Sequence, residues 1–150
     1  MTFSRFLASG FGSGFFPVAP GTAGSLVALL IGAGLLRVSV WAVLLAAVLA
    51  IGIGLWAIRA AGGGADPGWV VIDEFAGQWI ALLGLARPSL TGLLAAFALF
   101  RFFDIAKPGP VAWADRRKDS AGVMGDDVIA GALAAFFLVA ARVLAPGFLD

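Results

Sequence analysis

SVWAVLLAAVLAIGIGLWAI, residues 39–58, contains no charged side chain. At about 1.5 Å of rise per helical residue it reaches ~30 Å, the thickness of a bilayer's hydrocarbon core. Within that core each backbone N–H and C=O must be paired inside the segment, and a helix achieves this. A membrane-spanning helix is therefore expected here. Working outward, four more apolar segments fall at about 22–36, 70–86, 89–105 and 127–145. The fifth nearly spans, whereas the first reaches only ~22 Å and is expected to be short, re-entrant or tilted. The chain thus reads as an all-α, polytopic membrane helix bundle of four to five apolar segments, organised as one domain over residues 1–150.

Composition agrees. Hydrophobic residues make up 61% and charged residues 13% of the chain, and mean hydropathy is +1.03. Soluble domains carry about 25% charge. The net charge of +1 gives no reason to expect a nucleic-acid partner. Cysteine and histidine are both absent, which excludes thiolate or phosphohistidine nucleophiles, a Ser-His-Asp triad and the usual zinc ligands. Catalysis would have to rest on carboxylates, hydroxyls, Arg, Lys and a hard metal. Near the N-terminus, Gly10, Gly12, Ser13, Gly14 and Pro17 interrupt the apolar run after Arg5, so no cleaved signal peptide is expected.

The stretch from Arg59 to Gly68 and that from Lys107 to Gly125 read as loops, because glycine and proline end helices. If all five segments cross, these loops and the N-terminus share one side. That side carries Arg5, Arg59, Arg101, Lys107, Arg116, Arg117 and Lys118, against Arg37, Arg87 and Arg142 on the other. The richer side is expected to face the cytoplasm.

The same topology gathers acidic residues. Asp73-Glu74 opens the third segment, Arg101, Asp104 and Lys107 close the fourth, and Asp126-Asp127 opens the fifth. A helix first turn favours carboxylates by about 0.3–1 kcal/mol each, so either pair alone has a purely structural explanation, as does an Arg101–Asp104 ion pair. Five carboxylates at one membrane level instead invite a shared cation. Oxygen donors without Cys or His suit Mg²⁺. Arg101 and Lys107 could hold phosphate oxygens, since steps of three place them with Asp104 on one helix face.

Ala19-Pro20-Gly21-Thr22-Ala23-Gly24-Ser25 leads into the first segment, with Thr22 or Ser25 as the expected N-cap and free N–H groups able to receive an anion. Arg116-Arg117-Lys118 reads as a surface patch facing anionic headgroups. Gly77, Ala81 and Gly84, with Gly131 and Ala135, permit close helix packing.

Four blocks in order, Ala19–Ser25, Asp73-Glu74-Phe75-Ala76-Gly77, Phe100–Pro108 and Asp126-Asp127-Val128-Ile129-Ala130-Gly131, resemble bacterial phosphatidylglycerophosphatase A. The resemblance runs from about Gly10 to Gly131. It implies a multi-pass enzyme of the bacterial inner membrane that uses Mg²⁺ to remove the terminal phosphate of phosphatidylglycerophosphate on the cytoplasmic side. Carried over by position, it implies metal or acid-base roles for Asp73, Glu74, Asp104, Asp126 and Asp127. It implies phosphate binding by Thr22, Ser25, Arg101 and Lys107. Attack by metal-activated water is the favoured mechanism, with a covalent aspartyl-phosphate as the alternative.

Three other readings compete. A CDP-alcohol phosphatidyltransferase also clusters aspartates around metal, but its D-G-x-x-A-R and D-x-x-x-D pattern is missing. An ion or proton carrier would place its carboxylates mid-span rather than at helix ends. A purely structural membrane subunit would not need the constellation. The residues leave the oligomeric state open.

Overall fold

The computed structural model describes residues 1–62 and 67–150. The middle of the expected 59–68 loop, including Asp66, lies outside the described residues. The described residues are all-helical, in the order α1 (Phe3–Ala8), a single 3-10 turn (Ser13–Phe15), α2 (Pro20–Val38), α3 (Val40–Ala60), α4 (Ile72–Leu82), α5 (Leu90–Ala106), α6 (Gly109–Asp115) and α7 (Ser120–Leu144). Three of them, α2, α3 and α7, are long and apolar enough to cross a membrane.

The first apolar segment is longer than its hydropathy suggests. Pro20 and Gly21 enter α2 at one end and Arg37 and Val38 at the other, giving 19 residues, or about 28 Å. The short member is α4, with 11 residues and a length of about 16 Å. It is tied down before its first turn, where the Val71 amide donates to the Ala8 carbonyl at 2.9 Å.

α4 is the hub of the bundle. It packs against α2, α3, α5 and α7, and it buries Phe75, Trp79 and Leu82. The Trp79 indole donates to the Ala28 carbonyl on α2 at 2.8 Å. The outer helices turn apolar side chains outward: Trp41, Leu45, Val48, Leu49 and Trp56 on α3 are all exposed. Such a continuous apolar face belongs against lipid rather than water.

Contacts define two ends. At one, Arg59 at the end of α3 donates to Ser120 at the start of α7 at 2.9 Å, and α1 reaches the residue before α4. At the other, Arg142 donates to the Gly84 carbonyl at 3.2 Å, and Ser89 pairs with the Leu149 carbonyl. The helices α2, α4 and α7 therefore start, and α3 and α5 finish, at the end that holds the polar loops.

Candidate active site

Helix α2 contributes its first turn. Its N-cap is Ala19, in the left-handed region at φ 49°, with Pro20 in the first helical position. The expected cap at Thr22 or Ser25 is thus corrected: both lie inside the helix. Buried Ser25 donates its hydroxyl to the Gly21 carbonyl at 2.8 Å, and so is occupied within its own helix. Thr22 faces the site, its Oγ1 at 3.5 Å from Nη2 of Arg101.

Helix α5 brings the cations. Arg101 pairs through Nη1 with Asp104, one turn on. Lys107 caps the helix in the left-handed region at φ 47°, which turns its ammonium back towards α7. There it bridges Asp126 at 2.7 Å and Asp115 of α6 at 3.0 Å. Partial burial opposes the ammonium's charge, but the two carboxylates outweigh burial and hold its pKa above the ordinary lysine range. The same contact with Lys107 holds Asp115 below the usual carboxylate range.

Helices α4 and α7 bring the buried acids. Asp73 and Glu74 occupy the first turn of α4, as expected. Asp126 and Asp127 do not open their helix: α7 begins at Ser120, capped by Asp119 on the Gly122 amide at 2.9 Å. They lie in its second turn, where the macrodipole no longer explains two adjacent carboxylates. Both are buried.

Asp127 joins the three groups. One oxygen each from Asp73, Glu74 and Asp127 lie within 4.8 Å of one another, and so do one each from Asp104, Asp126 and Asp127. Around a Mg²⁺ ion with ~2.1 Å bonds, adjacent ligand oxygens stand about 3 Å apart and opposite ones about 4.2 Å, so either set would close in around a bound ion. The donors are all carboxylate oxygens, which fits a hard cation. Glu74 supplies a further sign, because its buried Oε2 has no hydrogen-bond partner among the described residues. Burying like charges together without a counter-ion is costly, whereas around a cation the arrangement is satisfied.

Gly21 makes the junction with α2 possible. A Cβ there would meet Oε1 of Glu74, and the two terminal nitrogens of Arg101 at 3.4 and 3.5 Å. Glu74, Arg101 and the start of α2 thus enclose one small space. The Nε of Arg101 is buried and lacks a hydrogen-bond partner among the described residues, so the guanidinium retains donors for an anion.

Of the residues singled out by sequence, Asp73, Glu74, Arg101, Asp104, Asp126, Asp127 and Thr22 converge directly. Lys107 meets the cluster through Asp126, and Ser25 faces its own helix. Asp115 lies in the Lys107–Gly125 stretch that reads as loop, and its pairing with Lys107 depends on α6 folding back. Gly21 carried a signal as part of the Ala19–Ser25 block, although its effect is to leave room. Fully buried Gln78, one turn beyond Glu74, has neither amide atom hydrogen-bonded among the described residues, and nothing in its apolar surroundings marked it. The Arg116-Arg117-Lys118 patch is partly neutralised, since Arg117 pairs with Asp119 at 2.9 Å.

The family model for phosphatidylglycerophosphatase A matches residues 6–142. A Haemophilus influenzae phosphatidylglycerophosphatase A is 41% identical over 139 residues, covering 89% of this chain and 85% of that protein. The Escherichia coli phosphatidylglycerophosphatase A is 39% identical over 137 residues, covering 88% and 79%. A Bacteroides thetaiotaomicron protein named "putative phosphatidylinositol-3-phosphatase" is 41% identical over 145 residues, 91% of each chain. No solved structure matches. The chain belongs to the phosphatidylglycerophosphatase A family, and it is a phosphatase.

Proposed function

We propose that this member of the phosphatidylglycerophosphatase A family hydrolyses the terminal phosphate monoester of phosphatidylglycerophosphate, using Mg²⁺ held by its carboxylates. The observation that carries the reading is the position of Asp127 in two carboxylate groups, with Arg101 alongside. The names of the Haemophilus and Escherichia relatives supply the substrate. The bacterial origin of these relatives and the bias of Lys and Arg towards the site's end support an inner-membrane location with the site facing the cytoplasm.

Asp73, Glu74, Asp104, Asp126 and Asp127 would hold the cation. When bound, Mg²⁺ supplies Lewis acidity that offsets negative charge on the phosphoryl oxygens. Arg101 is fixed through Nη1 by Asp104 and offers Nε and Nη2 to the phosphate. Lys107 holds Asp126 in place from the loop side. Water attacks phosphorus opposite the glycerol oxygen, forming one P–O bond as the other breaks. Glu74 of α4 gives one carboxylate oxygen to the cation and, through Oε1, which faces Gly21 and Arg101, accepts the water's proton, while the departing alkoxide takes a proton from solvent at the membrane face.

The test is phosphate release by purified protein with Mg²⁺, comparing phosphatidylglycerophosphate with phosphatidylinositol 3-phosphate. Faster release from the first supports the reading. Preference for the second would reassign the headgroup.

A further inference from the structure

Against the start of α2 lies an apolar groove of about 400 Å³, walled by Ser13, Phe16 and Val18 on one side and Thr22, Ala23 and Leu26 on the other. We infer that this groove receives an acyl chain of the phospholipid substrate whose phosphate sits at Arg101. The inference rests on the proposed phosphatase function.

Continuity with the site selects this groove. Thr22 lines the groove and also stands 3.5 Å from Arg101 Nη2, so the two spaces share a wall. The neighbouring residue Gly21 borders Glu74 and Arg101 in the same way. A second apolar hollow, between α1, α3 and α4 beside Leu49 and Ile53, includes none of the candidate site residues.

Polarity follows the shape of a lipid. The polar site lies at the N-terminal end of α2, and Ala23, Leu26 and Val27 follow Thr22 along the helix, within about 8 Å. Beyond Thr22 and Ser13 the walls are apolar. Phe16 and Val18, 59% and 72% exposed, stand out from the loop as an outer rim. That loop is set by Ala19 at positive φ, which turns the chain into Pro20 and directs the rim along α2.

A chain entering from the bilayer exchanges one hydrocarbon environment for another, so the groove gains little from the hydrophobic effect. Its contribution is orientation. Fixing the chain leaves the headgroup fewer ways to miss Arg101 and the carboxylates.

The experiment compares a long-chain phosphatidylglycerophosphate in detergent micelles with its dihexanoyl form, too short to fill the groove. The enzymes are the wild type, Ala23→Leu, Leu26→Trp and, as a control, Leu45→Trp on the outward face of α3, with thermal unfolding recorded for each. The inference predicts that the two groove variants raise the long-chain KM by about tenfold at similar kcat, equivalent to about 1.4 kcal/mol. Their kcat/KM on the dihexanoyl substrate should stay near the wild-type value, and Leu45→Trp should match the wild type on both. An unchanged long-chain KM in both groove variants overturns the inference, because bulk lipid would then simply bathe the groove. Equal loss on both substrates, or equal loss in Leu45→Trp, overturns it as well. Wild-type protein that releases phosphate from neither substrate would instead overturn the phosphatase reading.

Discussion

Gly77 of α4 and Gly131 of α7 meet backbone to backbone: a Cβ on Gly131 would lie 2.9 Å from the Gly77 carbonyl carbon. A Cβ on Gly77 would stand 2.6 Å from the Asp127 carbonyl oxygen. The two helices cross where neither has a side chain, and this brings Asp73 and Glu74 to Asp127. Gly131→Ala must separate them. It should destabilise the protein by about 1–3 kcal/mol, as overpacking does. Activity should fall with it, as measured by thermal unfolding and phosphate release on the same preparation.

Gly21→Ala separates stability from function. Alanine favours a helix over glycine by up to ~1 kcal/mol, so folding should be unaffected or improved. The new methyl group, however, meets Glu74 and Arg101. Displacing reacting groups by about 1 Å can cost on the order of 10²-fold in rate. The expected result is a normal unfolding temperature with a large fall in kcat.

Gln78 is fully buried, with neither amide atom hydrogen-bonded among the described residues. Replacing such a group by an apolar one of similar shape removes a desolvation cost of about 1–3 kcal/mol. Gln78→Met should therefore raise the unfolding temperature while phosphate release continues. A fall in both would mean that the amide has a partner during turnover.

Much of the site could be read from the sequence because charge is rare in an apolar chain: Asp73-Glu74, Asp104 and Asp126-Asp127 stand out against their neighbours. The membrane helices were equally plain from residues 39–58. Their boundaries were less so. Residues 120–125 contain Gly122 and Gly125 and read as loop, yet α7 starts at Ser120 because Asp119 caps it and Gly122 fits against the Arg117 carbonyl. Gly109–Asp115 also read as loop. It forms α6 because Pro110 suits a first helical turn and Val111 and Ala114 become buried. The bridge from Lys107 to Asp115 follows from that folding, so no local pattern announced it.

Asp127 is common to both carboxylate groups and is almost fully buried, which makes it the point where a binding site and a merely structural cluster differ most. The decisive measurement is phosphate release from phosphatidylglycerophosphate by wild type and Asp127→Asn, with Mg²⁺ and after EDTA, alongside thermal unfolding in EDTA. With a cation held here, EDTA abolishes wild-type release, and Asp127→Asn loses on the order of 10³-fold, comparable to removing a key transition-state contact. The variant should also unfold in EDTA at a temperature no lower than wild type, since one buried like charge is gone. Release that persists in EDTA, or an Asp127→Asn enzyme within about tenfold of wild type, would contradict the account.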